Sequence, residues 1–250
     1  MKNILNILLL SCVYLFVSCS STETKGTTEA ETLFNDIKSN YKAKRYLLAL
    51  EKISSFRSKY PYSFYVTEVE LLRANIYYEQ ENYLEAVDAY LSFRDFHPNY
   101  ENLDEIEWRI SESFFKQLPE GVDRDITPAL SAIDSYQDLI RKFPNSNYIE
   151  KAKERVVRLE KMLENKEIYI ADFYFRTADY QSASYRYRKV LSTSRSDDVI
   201  KTSLERLVTS YAKIGNKSEC ESILKLYDTY LSYDKRSSLL NVCQSTKEVK

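Results

Sequence analysis

The sequence predicts an all-α fold, a solenoid of about five helix pairs stacked in a row. Three observations carry that prediction. Pro61, Pro98 and Pro144 each follow an alanine by twelve residues, namely Ala49, Ala86 and Ala132. The stretches between them place aromatic and aliphatic residues at helical spacing. Composition agrees: among 250 residues there are 22 Tyr but only 3 Gly and 5 Pro. That disfavours sandwiches, barrels and glycine-loop nucleotide folds, and it suits helices.

Residues 1–18 have the layout of a secretory leader. Lys2 supplies the positive start, and Ile4 to Val17 the apolar run, broken only by Asn6 and Ser11. At about fourteen residues this run is short for a membrane span. Ser18 then Cys19 fit a lipoprotein cleavage site, after which the Cys19 thiol would carry diacylglycerol and the new amino group a further acyl chain. Leu9-Leu10-Ser11-Cys12 fits the same pattern with a shorter apolar run. Ser20, rather than an aspartate, favours the outer membrane by similarity to enterobacterial lipoproteins. Residues 19–30 are small and polar and read as a lipidated flexible tether.

The solenoid is expected over 31–245. The most regular copy is 67–100. There Ala74 lets two helices approach, Tyr77 packs between them, Tyr83 closes the turn, Ala86 is small at the crossing, and Tyr90 fills the groove to the next unit. Pro98 ends the second helix, because proline lacks the donor and clashes with the preceding turn. These are the positions of a tetratricopeptide repeat. Ala171, Tyr174, Tyr180, Ala183 and Tyr187 recur in the same places at 164–197, with Arg195 where the proline would stand. Weaker copies lie at 30–63 (Ala49, Ile53, Pro61) and 201–234 (Tyr211, Cys220, Leu224). The third copy, 105–146, has its first helix around Trp108 and Phe115, and ends with Ala132, Tyr136 and Pro144. A loop bracketed by Pro119 and Pro128 splits it. Thr127 is expected to cap the following helix and Pro128 to be its first residue. Residues 147–163 predict a separate helix. About ten helices are expected, from 31–42 to roughly 232–245, before a polar tail at 246–250.

Little in this chain can carry chemistry. The formal net charge of -1 argues against a nucleic-acid partner. The single histidine, His97, precedes a helix-ending proline and reads as a turn residue. No phosphate loop or Gly-x-Ser-x-Gly elbow is present. Acid pairs such as Glu79/Glu81 and Asp197/Asp198 read as solvated faces or caps. One His and two distant Cys do not make a metal site. In an oxidising compartment Cys220 and Cys243 can form a bridge, and two separate thiols fit the sequence equally well. The expectation is a protein that is no enzyme and holds no cofactor or metal.

The remaining signal is aromatic. Phe34 and Tyr41 fall seven residues apart on one stripe of the first helix of repeat one. Leu71 and Tyr78 occupy the same places in repeat two. Tyr62, Phe64 and Tyr65 lie in the turn between. A concave aromatic surface suits an extended peptide. Repeat core is the alternative: it is the stronger one for Tyr77, and evenly matched for Phe34, Tyr41, Leu71 and Tyr78.

Four stretches resemble the BamD family of outer-membrane β-barrel assembly lipoproteins. They are Tyr60-Pro61-Tyr62-Ser63-Phe64-Tyr65, Ile76-Tyr77-Tyr78, His97-Pro98-Asn99, and Gly121-Val122-Asp123-Arg124-Asp125 followed by Phe143-Pro144-Asn145-Ser146-Asn147-Tyr148. The resemblance covers roughly residues 30–235. It implies attachment to the periplasmic face of the outer membrane. It further implies that C-terminal repeats dock on the periplasmic domains of the barrel-forming assembly subunit, beside other assembly lipoproteins. N-terminal repeats would receive the aromatic-ended C-terminal strand of unfolded outer-membrane proteins. Arg155 matches a basic docking position of the family. A second such position is Met162 here, with Lys161 beside it. The alternative is another envelope repeat lipoprotein that coordinates cell-wall or Tol-type proteins.

Overall fold

In the computed structural model, residues 28–245 are described. The leader, Cys19, the tether up to Thr27 and the tail 246–250 lie outside them. The described chain is helical throughout, apart from turns and loops. Eleven α-helices follow in order: α1 (Glu29–Lys42), α2 (Tyr46–Lys59), α3 (Val66–Glu79), α4 (Tyr83–Phe96), α5 (Leu103–Lys116), α6 (Pro128–Lys142), α7 (Ile149–Arg176), α8 (Tyr180–Thr193), α9 (Asp197–Lys213), α10 (Lys217–Leu226) and α11 (Tyr233–Gln244). The chain divides into two compact units after Val69, inside α3.

The first unit is built on α1 and α2. The Thr28 hydroxyl caps α1 by accepting from the Glu31 amide at 3.2 Å. Phe34 and Ile37 from α1 join Ala49, Ile53 and Phe56 from α2 as buried residues. Ala49 is fully covered, which is why the sequence places a small residue there.

In the second unit the helices pack mainly on their neighbours in sequence, and α11 also folds back on α9. Ala74, Ala86, Tyr90, Phe93, Ile106 and Ile110 make one core cluster. Ala129, Ala132, Tyr136, Leu139, Ala152 and Leu159 make another. A third runs from Ala171 and Ala183 through Tyr187 and Leu204 to Cys220 and Cys243. Ala74 and Ala86, and again Ala171 and Ala183, are 0% exposed. Small residues at helix crossings and a large tyrosine one turn later are the physical content of the repeat.

Two backbone devices recur. Three second helices end alike. Tyr60, His97 and Phe143 sit at the C-cap with φ between -125° and -131°, and each amide donates to the residue four before it. A proline follows each time and holds the preceding residue out of the helical region. Within the helix pairs, four turns share one left-handed residue: Lys44, Glu81, Ala178 and Gly215, at φ 56°, 60°, 61° and 78°. The next amide then reaches back five residues, as in Arg45 to the Asn40 carbonyl (2.9 Å) and Asp179 to that of Tyr174 (3.0 Å). These are Schellman closures, in which a left-handed residue lets two amides satisfy the last helical carbonyls.

The structure departs from the expected elements in two places. The helix expected at 147–163 does not stop there; α7 runs on to Arg176. The stretch contains no Gly or Pro, and Glu, Lys, Leu and Met through residues 159–167 favour continuation. Thr127 stands at the N-cap of α6 without capping it. Its hydroxyl and amide instead donate to Asp125 Oδ1 at 2.6 and 2.9 Å, so Asp125 organises the turn. The question left open by the cysteines is resolved: Cys220 on α10 and Cys243 on α11 form a disulfide, with Cα atoms 5.7 Å apart.

Candidate functional site

In the first unit, Phe34 is 5% exposed, and its ring stacks on Tyr65 at 4.5 Å. Phe34 is therefore core in this chain, with Tyr65 as its lid. Tyr41 is half-buried beside Tyr46, ring centroids 6.2 Å apart. Tyr62 stands free of the fold at 98% exposure. One heptad spacing thus yields a core ring at residue 34 and a half-buried ring at residue 41. The α1 turn that carries Phe34 is covered by the chain returning at Tyr65.

In the second unit, Leu71 and Tyr78 are half-buried against the cluster around Ala74 and Tyr90. Tyr78 meets Tyr83 edge-on at 5.6 Å, and the Arg109 guanidinium lies over its ring at 5.1 Å. Burial, reinforced by the charge of Glu112, raises the Tyr78 phenol above its ordinary value, and Arg109 only partly offsets this. Nearby, Trp108 stacks on Tyr148 at 5.1 Å with planes 11° apart. Arg109 was absent from the sequence-predicted set. Its only local signal is the i,i+4 relation to Glu105, across which the two side chains meet at 3.4 Å.

Arg155 and Lys161 both lie on α7 but differ in kind. Arg155 Nε donates to Glu112 Oε1 at 2.8 Å, and its guanidinium covers the Phe115 ring at 4.2 Å. Glu112 is 5% exposed and also accepts from the Tyr136 hydroxyl. Burial alone would lower the Arg155 pKa, but the Glu112 hydrogen bond and charge outweigh it and hold the cation above its ordinary value. Arg155 thus binds α7 to α5 across a buried carboxylate. Lys161 is exposed and pairs with Glu164 one turn on. Lys161 and Val157 together border two surface grooves, of about 810 and 850 Å³, on either side of α7. The loop after α5 roofs them. It is pinned there by Lys166, whose Nζ donates to the carbonyls of Val122 (2.7 Å) and Arg124 (2.8 Å).

Among the described residues no group of His, Cys, Asp and Glu is arranged to hold a metal. No described helix is long and apolar enough to cross a membrane.

Comparisons with known proteins cover most of the chain. Outer membrane protein assembly factor BamD of Neisseria meningitidis serogroup A is 24% identical over 240 residues, covering 88% of this chain and 90% of the relative. BamD of Vibrio cholerae is 24% identical over 216 residues (83% and 90%), and that of Rickettsia prowazekii 26% over 204 residues (81% and 79%). Among solved structures, the P58(IPK) tetratricopeptide-repeat domain aligns with a TM-score of 0.45 at 15% identity, over 88% of this chain and 61% of that one. The TPR2AB domain of yeast Sti1 aligns at 0.43 and 12%, over 88% and 100%. A family model described as outer membrane lipoprotein, YfiO, matches residues 27–226. The chain belongs to that family.

Proposed function

We propose that this chain is a non-catalytic scaffold for outer-membrane protein assembly. It would be tethered through acylated Cys19 to the periplasmic face of the outer membrane, where it presents unfolded barrel proteins to the barrel-forming subunit. Family membership supports the assembly role, because the curated relatives are named assembly factors. The observation that carries the recognition step is Tyr78, a half-buried ring with the Arg109 guanidinium lying over its face. An aromatic-ended C-terminal strand offers an apolar ring for such a site and a carboxylate for the arginine. Tyr41, half-buried at the matching place on α1, offers a second aromatic surface in the first unit. Lys161 and the grooves along α7, lined by both charged and apolar side chains, suit the periplasmic domains of the barrel-forming subunit. On this reading Arg155 contributes by fixing α7 on α5.

The test is binding of a peptide that ends in a barrel protein's aromatic C-terminal strand. Tyr41→Ala combined with Tyr78→Ala should weaken it at least roughly tenfold, since buried aromatic anchors are often worth about 1–2 kcal/mol each. Helicity should not change. Unaltered affinity in the double variant overturns the recognition site. Purification of the tagged chain in mild detergent tests the partner. Recovery of a large barrel protein with repeated periplasmic domains supports the reading; cell-wall or Tol-type proteins in its place would refute it.

A further inference from the structure

We propose that the turn between α2 and α3 is a second point of attachment to the membrane, with Tyr62 and Phe64 seated at the lipid–water interface. This rests on the lipid-anchor reading above and goes beyond it. It assigns the protein fold itself, and not only the acylated terminus, a contact with the bilayer.

Exposure is the first reason. Tyr62 is 98% and Phe64 94% exposed, more than any other large hydrophobic side chain among the described residues. Two such rings within three residues form a patch that the fold leaves unused.

The turn is also built to hold them. The Ser63 amide donates to the Tyr60 carbonyl at 3.1 Å, the Val66 amide to the Ser63 carbonyl at 3.0 Å, and the Tyr65 amide to Ser63 Oγ at 3.3 Å. Pro61 fixes its own φ. Phe64 stands edge-on to Tyr65 at 5.9 Å, and Tyr65 rests on buried Phe34. Little ordering is left to lose when the rings meet a partner.

Position decides what that partner is. The Tyr60 hydroxyl donates to Glu29 Oε2 at 2.9 Å. Glu29 opens α1, so the turn sits at the end of the unit where the chain arrives from Cys19. Eight residues separate Cys19 from Thr28, and the nine steps between the two, at about 3.5 Å each, reach at most roughly 30 Å. An acylated Cys19 therefore keeps this turn close to the bilayer. Charge at this end is mixed, with Lys59 exposed beside the rings and Glu29 and Glu31 on α1. Attraction to anionic lipid is thus not the driving force. Phe supplies apolar area, and Tyr supplies a ring that is apolar along its body and wet at its tip, which suits the interfacial zone.

The experiment uses the full-length acylated chain in vesicles of phosphatidylethanolamine and phosphatidylglycerol, with and without brominated acyl chains. Phe64→Trp places an indole on the turn. Leu47→Trp places one at the opposite end of α2, a position that is 82% exposed and about 20 Å away along the helix. Emission of native Trp108 is subtracted using the unsubstituted protein. Bromolipid should quench roughly half the emission of the indole introduced at position 64, as expected for interfacial depth, and none at position 47. Flotation is read on the same samples. Protein that fails to float with vesicles refutes the lipid anchor, and the proposal falls with it. Protein that floats without quenching at position 64 overturns the proposal alone. So does an unquenched indole whose emission shifts only when an aromatic-ended barrel peptide is added, because the turn would then serve a protein ligand.

Discussion

The phenol of Tyr90 donates a 2.6 Å hydrogen bond to Asn75 Oδ1, fifteen residues earlier, and Tyr187 makes the same bond to Asp172 Oδ1 at 2.5 Å. Tyr136 does likewise toward Glu112, at a separation of 24 because the loop after α5 intervenes. Both Tyr90 and Tyr187 are at most 1% exposed. The repeat tyrosine thus fills the space between two helices and also ties the second to a polar group on the first. Tyr90→Phe should cost about 1–2 kcal/mol for the stranded amide. Tyr90→Ala should cost about 3–5 kcal/mol, because it also opens a cavity. Urea unfolding separates them; equal losses would mean that the ring volume matters little.

The Glu112–Arg155 pair is buried at its carboxylate and 31% exposed at its guanidinium side chain. Arg155→Met leaves Glu112 at 5% exposure with the Tyr136 hydroxyl still donating to it and should cost about 2–3 kcal/mol, less than for a fully buried pair, whereas Glu112→Gln with Arg155→Met should recover most of that. Lys161→Ala removes an exposed charge and should change stability by less than about 1 kcal/mol. A double-mutant cycle on unfolding midpoints is the measurement. Full stability in Arg155→Met would contradict the network. Any partner-binding defect of an Arg155 variant must be set beside this stability loss, and one from Lys161 need not be.

The left-handed closures predict substitutions that stabilise. Ala178 adopts φ 61° with a Cβ that opposes it, and Gly215 occupies the equivalent turn without that penalty. Ala178→Gly should raise stability by about 0.5–1 kcal/mol, and Gly215→Ala should lower it by a similar amount. Opposite shifts in thermal midpoint are the expected outcome. A loss in both variants would show that backbone freedom in the unfolded chain outweighs the relief of strain.

The Cys220–Cys243 bridge spans 23 residues and joins α10 to α11. Its reduction, or Cys220→Ala with Cys243→Ala, should cost about 3 kcal/mol. The loss should concentrate in the C-terminal repeat. Hydrogen exchange with and without reductant reads this directly: amides of α10 and α11 should lose protection, and those of α1 and α2 should not. Uniform deprotection would mean that the bridge supports the whole array rather than its end.

The repeat is legible in the chain alone. Alanines at crossings, tyrosines one turn later and prolines after the second helices act locally, through steric size and the backbone donor that proline lacks. Each therefore means the same thing wherever it stands. Tertiary structure decided the rest. Lys161-Met162-Leu163-Glu164 are helix formers that permit α7 to continue, but whether two successive helical stretches join into one depends on what packs along both. Two cysteines 23 residues apart did not announce a bridge, because pairing depends on where α11 folds back. Arg155 matches a docking position by resemblance, and only the fold shows Glu112, on another helix, beneath it. Phe34 and Tyr62 looked alike as aromatics, yet one is 5% and the other 98% exposed. Burial is set by neighbours distant in sequence, so periodicity can name the face of a helix but not what comes to cover it.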